Sequence, residues 1–397
     1  MSEYQYYEFQ AIDHPLTERQ MEELRSISSR AEISPTRFTN FYTFGDFKGN
    51  PAKMVEKYFD AFLYLANWGT HLFTLRLPQR ALELEKAQLY CAGQSASARR
   101  KGEFVILDFS SQDEEGDWDE EGEGWLSSLI PLRGGIASGD NRALYLAWLL
   151  CVQCEELDED TPEPPCPPGL GKLSGPLRAF AEFLRIDQDL IAVASAASAP
   201  LIELNLGENF EQWVAALPEA ERTALLVQLG REGAGPARAE LLSRYRAAVE
   251  NLGPSAASPA PRTAGVLLSL AERHAEERRR REAERQAREK ARLEREKAAA
   301  REKYLDGLAQ REPEVWAKVD ALIATKHPRD YDQAVQLLRD LWDLGERTKR
   351  LTEIQIRIRQ LQDAHVNKTS FLRRLAESGL KQKLTSAPPL FAERRQE

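Results

Sequence analysis

Cysteine and histidine are scarce in this chain, and a long apolar run is missing. Four cysteines in 397 residues are too few for the disulfide framework that staples small secreted domains. The longest apolar stretch, ALYLAWLLCV at 143–152, is about half of the roughly 18–20 residues that a bilayer requires. The opening MSEYQYYEFQ has neither a basic n-region nor an apolar h-region, so no export signal is expected. Together these absences predict a cytoplasmic protein without a membrane span. The five histidines, His14, His71, His274, His327 and His365, are scattered. No Ser or Cys stands in a nucleophile elbow that one of them could serve.

Motifs with defined chemistry are incomplete. Cys151 and Cys154 have the spacing of a metal knuckle or redox pair, but structural zinc needs four ligands. Cys166 falls in a proline-rich run and Cys91 is remote; buried small residues on an apolar helix explain the pair better. DWDEEGEGWLSS at 117–128 begins as a calcium loop with Asp117, Asp119, Glu121 and Gly122, yet Ser128 stands where a bidentate Glu belongs. Gly171-Lys172 is followed by Leu173 rather than Ser or Thr, and Cys166 replaces the first glycine of a phosphate loop. The glycines of GGIASGD, 134–140, have no following lysine. His71, beside Trp68 near a turn, is the histidine to watch as a general base, although a structural histidine is the simpler reading. No catalytic, cofactor-binding or metal-ligating residue is assigned, and no cofactor is expected. An enzyme of unrecognised class on the N-terminal domain, using His71 and a neighbouring acid, stands as an alternative.

Charge is abundant and uneven. The net charge is -9, with -14 in residues 1–170 and +5 in the remainder. The acidic half opposes diffuse nucleic-acid binding, because phosphates need cations to displace their counterions. Its blocks DEEGDWDEEGE (113–123) and EELDED (155–160) read as solubilising loops.

The pattern along the chain predicts an α+β N-terminal domain followed by all-α modules and a long charged single helix. Strands are expected at 3–12, 37–44, twice within 61–78 around NWGT, and at 103–110. Helices are expected at 14–30 with Thr17 as cap, at 50–59 with Asn50 as cap and Pro51 in the first turn, and through 79–90. Asp140 or Asn141 should cap a helix at 142–156 that is apolar nearly all round and so buried. Helices packed on one sheet follow, and a ferredoxin-like arrangement with an added helix fits. TPEPPCPPGLG at 161–171 reads as a linker by composition. The expected divisions are 1–158, a linker 159–171, a helical domain 172–251, a linker 252–262, the charged helix 263–311, a C-terminal helical module 312–380 and a tail 381–397. Within the helical parts the periodicity predicts helices at 174–185, 187–197, 208–216, 218–230, 236–250, 313–325, 330–346, 351–365 and 369–378.

The charged helix carries the most unusual composition. HAEERRRREAERQAREKAR spans 274–292, and residues 271–303 hold 13 Lys+Arg and 9 Glu. Apolar a and d positions for a coiled coil are absent apart from Leu293 and a thin stripe of Ala283, Ala287 and Ala291. Internal pairing is available instead. Glu276–Arg280, Glu277–Arg281 and Glu284–Arg288 are spaced i,i+4, while Glu282–Arg285, Glu289–Arg292 and Glu294–Lys297 are spaced i,i+3. Each pair contributes roughly 0.2–0.5 kcal/mol to an isolated helix. Val266, Leu267, Leu268 and Leu270 make an apolar entry, and Tyr304, Leu305 and Leu308 an apolar exit. The interval from Val266 to Leu308 would span ~63 Å, so a strut is expected. A partner coiled coil or a nucleic-acid arm through Arg278–Arg281 is the alternative, the latter opposed by flanking glutamates and the lack of interleaved aromatics.

FEQWVAALPEAERTALLVQLG…ARAELLSRYR (210–246) and LIATKHPRDYDQAVQLLRDLWDL…SFLRRLAESGL (322–380) resemble the helical C-terminal regions of bacterial proteins with SWIM-type zinc fingers. The C-x-C and C-x-H pattern of that family is absent from this chain, so zinc and nucleic-acid functions do not transfer. The resemblance implies at most a bacterial helical interaction module. The resulting expectation is a non-enzymatic interaction or regulatory protein whose C-terminal module binds a protein partner, with nucleic acid and membrane not expected as partners.

Overall fold

The computed structural model describes residues 4–113, 122–201, 207–232, 234–252 and 262–380. The chain packs as two compact units, residues 1–279 and 280–397, and each is taken by itself.

The first unit is organised by one sheet. Its strands are β1 (Gln5–Gln10), β2 (Glu32–Ile33), β3 (Arg37–Tyr42), β4 (Ala61–Ala66), β5 (Thr70–Pro78), β6 (Ala96–Lys101) and β7 (Phe104–Gln112). Their order is β2-β3-β1-β4-β5-β7-β6, and every neighbouring pair is antiparallel. A ferredoxin-like sheet requires its two central strands to run parallel side by side, so that expectation is corrected: here β3 and β4 run parallel with β1 inserted antiparallel between them, joined by a crossover through the helix Pro51–Lys57. The mixed α+β unit followed by helices is as the sequence pattern predicts.

Side chains alternate across the strands, and both faces are apolar over much of the sheet. One face carries Tyr7, Phe9, Phe38, Phe62 and Tyr64, packed against Leu24 of α1 (Glu18–Ile27) and Met54 and Val55 of α2 (Pro51–Lys57). Phe9 stacks on Phe62 at 4.3 Å and meets Phe38 edge-on at 5.5 Å. The termini of both helices are set locally. Thr17 and Gln20 form a reciprocal capping box, and Asn50 accepts from the Lys53 amide with Pro51 in the first turn.

The opposite face carries Leu63, Leu65, Phe73, Leu75, Val105, Leu107 and Phe109. It is covered by helices following the short α3 (Leu84–Gln88): α4 (Trp125–Leu129), α5 (Pro131–Ala137), α6 (Arg142–Gln153), α7 (Gly175–Phe183) and α8 (Gln188–Ser195). From Arg142 to Val152 every residue of α6 is buried, as its all-round apolarity implies. The glycine-rich stretch 134–140 is helical through Ala137, because Leu132 and Ile136 reach the core and override the low helix propensity of Gly134 and Gly135.

The proline-rich run expected to be a linker packs within the first unit. Leu170 is part of the same core, Pro162 bridges to Thr263, and Glu163 pairs with Arg262 at 2.6 Å. Tyr145 of α6 donates its hydroxyl to the same Glu163. Proline suits a strap of this kind, since extended backbone over a core needs few donors. Three helices complete the unit before the charged helix: α9 (Glu208–Ala216), α10 (Glu219–Glu232) and α11 (Ala234–Leu252). Arg246 of α11 donates to the Ser138 carbonyl at 2.8 Å. The charged helix itself is α12 (Ala264–Gln310); Ala264, Leu267 and Ala271 belong to the first unit's core.

In the second unit α13 (Glu312–Ala324), α14 (Pro328–Arg347), α15 (Leu351–Ala364) and α16 (Thr369–Glu377) form a bundle. The amphipathic α14 is central, packing against α13, α15 and α16. Trp316, Val319, Leu338, Leu341, Trp342, Ile358 and Phe371 fill the core, and Leu305 and Leu308 of α12 join it.

Candidate functional site: buried polar groups and the charged helix

His71 is 2 % exposed, on the face of β5 that packs against α7. Its ring stacks on Phe183 at 4.6 Å. Nδ1 lies 2.6 Å from the Phe183 carbonyl and Nε2 lies 2.9 Å from Nη2 of Arg185. An arginine can only donate, so Nε2 accepts and Nδ1–H donates to the carbonyl. That fixes the neutral tautomer. Burial lowers the imidazole pKa to about 4, reinforced by the Arg185 charge. Arg185 in turn donates to the Gly69 carbonyl at 2.9 Å, where the β4–β5 hairpin turns through a glycine with φ of 87°. The arrangement locks a hairpin onto a helix end. It does not present a general base.

This geometry has a pH consequence. The folded value lies below the unfolded one of about 6.5, so stability is present above pH 6.5 and is lost as pH falls towards about 4. Denaturant titrations across that window should show wild type losing up to ~3 kcal/mol that His71→Gln does not lose. Glu8, whose carboxyl burial raises, shifts both proteins alike in the opposite sense. Parallel pH profiles for the two proteins would refute the assignment.

The cysteines separate. Cys151 is buried with its thiol facing the Ala96 carbonyl at 3.9 Å, and burial pushes its pKa up to about 12. Cys154 is exposed, Cys91 is buried, and Cys166 lies in the proline strap. Among the described residues no three His, Cys, Asp or Glu side chains gather to hold a metal. Of the calcium-like motif, Asp117, Asp119 and Glu121 lie outside the described residues, while Gly122 packs so closely on the Tyr6 ring that a Cβ would sit 2.3 Å from it. Lys172 is exposed on the strap.

The second acidic block is partly structural. Glu156 accepts from the Gln94 amide at 2.7 Å, the Ser95 amide at 2.9 Å and the Ser95 hydroxyl at 2.8 Å. A carboxylate with several amide donors holds a turn rather than solubilising it.

The arginine run divides along its length. In the first unit, Asp189 of α8 is buried and accepts from Nδ1 of His274 at 2.8 Å. It also accepts from Arg278, through Nη2 at 2.8 Å and Nε at 3.0 Å. The Arg278 hydrogen bonds hold its carboxyl down at about 2. His274 and Arg278 are one helical turn apart, so one carboxylate reaches both. The first arginine of the run is therefore a docking residue. Sequence reasoning missed it, and the available signal was a lone aspartate within DLIAVA, where a buried carboxylate demands a cation.

In the second unit the solvated part begins. Every residue from 283 to 300 is exposed. Arg280 pairs forward with Glu284 at 3.3 Å, Arg292 with Glu296 at 3.6 Å, and Lys297 with Glu294 at 3.7 Å. Beyond this, Arg301 meets Asp340 at 2.7 Å and Asp343 at 2.6 Å, and Tyr304 donates to Asp340 at 2.8 Å. No helix among the described residues is long and apolar enough to cross a membrane. No protein-family model, curated protein or solved structure matches the chain.

Proposed function

We propose that the protein is a non-enzymatic interaction or regulatory protein, in which the C-terminal helical unit binds a protein partner and the charged stretch of α12 serves as a helical spacer. One observation carries the reading: residues 283–300 are exposed throughout, while helix on either side of them is held by buried carboxylates. A helix laced with i,i+3 and i,i+4 pairs stands in water without burying a face. On the second unit, Ile356 of α15 and Val366 are exposed apolar side chains, at 44 % and 62 %, available to a partner. His71, engaged at both ring nitrogens, supports the same reading by removing the one candidate base.

The test compares the full chain with its I356D/V366D variant in affinity purification from the native cell. Specific co-purifying proteins should be recovered by the full chain and depleted at least about tenfold by the variant, a change of roughly 1.4 kcal/mol. Equal recovery by both would overturn the assignment to this unit. Retention on DNA at physiological salt, abolished by replacing the exposed Arg285, Arg288 and Arg292, would establish the nucleic-acid arm in its place.

A further inference from the structure

The helical cover of the sheet is incomplete beside α2. Val55, Phe62 and Leu72 form the apolar floor of an open groove of about 450 Å³, and Thr74, Asp108 and Ser110 form its polar wall. That volume lies within the range of small-molecule sites. The groove arises because α2 packs over β4 and β5 but leaves the same face of β7 open. The base of the groove is well fixed, since Val55 and Phe62 are buried beneath it, and in the wall Thr74 is 7 % exposed.

Asp108 is the one ionisable side chain among the described residues that line the groove. Its Oδ1 accepts from the Thr74 hydroxyl at 2.8 Å, which orients the carboxylate from within the sheet. Its Oδ2 has a longer contact, 3.3 Å, with Nε of Arg99. Arg99 is itself closer to Glu56, at 2.8 Å. Asp108 thus shares its cation with a nearer competitor and keeps acceptor capacity for a ligand.

We propose that this groove binds a small primary amine with an aromatic or branched apolar body. The ammonium meets Asp108 and the Ser110 hydroxyl, and the apolar body lies over the partly exposed Leu72, with Phe62 beneath it. Anionic ligands are excluded by the same carboxylate. Binding here is independent of the C-terminal partner.

Phenethylamine and phenylacetate, alike in their ring but opposite in charge, are the probes. Ligand-observed NMR on the full chain should show saturable binding of phenethylamine and none of phenylacetate. Asp108→Asn should weaken the amine by about tenfold or more, as loss of a charge-assisted bond implies. Ala52→Trp, at an exposed position on the rim, should block it with the carboxylate intact and decides the matter if Asp108→Asn fails to fold. Absence of saturable amine binding, binding that survives Ala52→Trp, or equal binding of phenylacetate would overturn the proposal.

Discussion

Replacing Asp60 with alanine should destabilise the first unit by about 3–5 kcal/mol, the range found when one partner of a buried ion pair is removed. Asp60 is 1 % exposed, just before β4. Its Oδ2 accepts from the amides of Ile12 and Asp13 at 2.6 and 2.9 Å, and its Oδ1 accepts from Arg76 at 2.9 Å. Arg133 of α5 extends the network: it forks onto Asp13 at 2.9 and 2.6 Å and donates to the Arg76 carbonyl at 2.8 Å. One carboxylate therefore fixes the end of β1, the start of β4, β5 and a helix of the opposite layer. Alanine would strand the Arg76 guanidinium, whose side chain is 12 % exposed, together with two backbone donors. Asparagine retains an acceptor and should cost less than alanine. Burial alone would raise the Asp60 carboxyl, but the Asp13 and Ile12 amides, Arg133 and Arg76 hold it below its ordinary value. Its stabilisation is thus present above the usual carboxylate range and lost as pH falls below it. Urea unfolding of the full chain measures the effect, and a loss under about 1 kcal/mol would show that the network is solvated rather than buried.

None of this network is visible in the spacing of its residues, because Asp13, Asp60, Arg76 and Arg133 meet only after the sheet forms. What was legible is local. The capping box at Thr17, the Asn50-Pro51 start and the 3.6-residue periodicity of α14 each write their element into a few adjacent residues. The missed β6 has the sequence ASARRK, too polar to read as a strand. It is an edge strand, where charge guards against further pairing. The proline run at 161–171 was misread for a related reason. Composition reports that a segment forms no regular structure, and is silent on whether it packs; Tyr145 and Arg262, which hold Glu163, lie 18 and 99 residues away. At the charged helix, internal i,i+3 and i,i+4 pairing was readable in kind, and Glu294–Lys297 is one of the expected pairs, whereas Arg280 and Arg292 pair forward with Glu284 and Glu296. The lone Asp189 signalled a need for a cation, but that Arg278 supplies it was not readable, because the two belong to different helices.

Asp340→Ala should produce the corresponding loss in the second unit, about 2–3 kcal/mol. Asp340 is 3 % exposed on α14 and accepts from Arg301, Tyr304 and Gln336. Arg301 is 38 % exposed and keeps Asp343, so part of its charge remains hydrated and the cost falls below that of a fully buried pair. The Tyr304 hydroxyl loses its acceptor, and the Arg301–Tyr304 contact, 5.4 Å from guanidinium to ring centroid, loses its restraint. Because Arg301 and Tyr304, the two donors from outside α14, sit on α12, the effect should concentrate there. Amide exchange at 301–308 should accelerate more than at 334–342, whose protection comes from the Leu338, Leu341 and Trp342 core. A double replacement, Arg301→Met with Asp340→Leu, should recover much of the lost stability, since apolar groups of similar volume avoid the cost of desolvating a pair. If the double variant is no better than Asp340→Ala, then the Tyr304 hydrogen bond, rather than the ion pair, holds this end of the charged helix to α14.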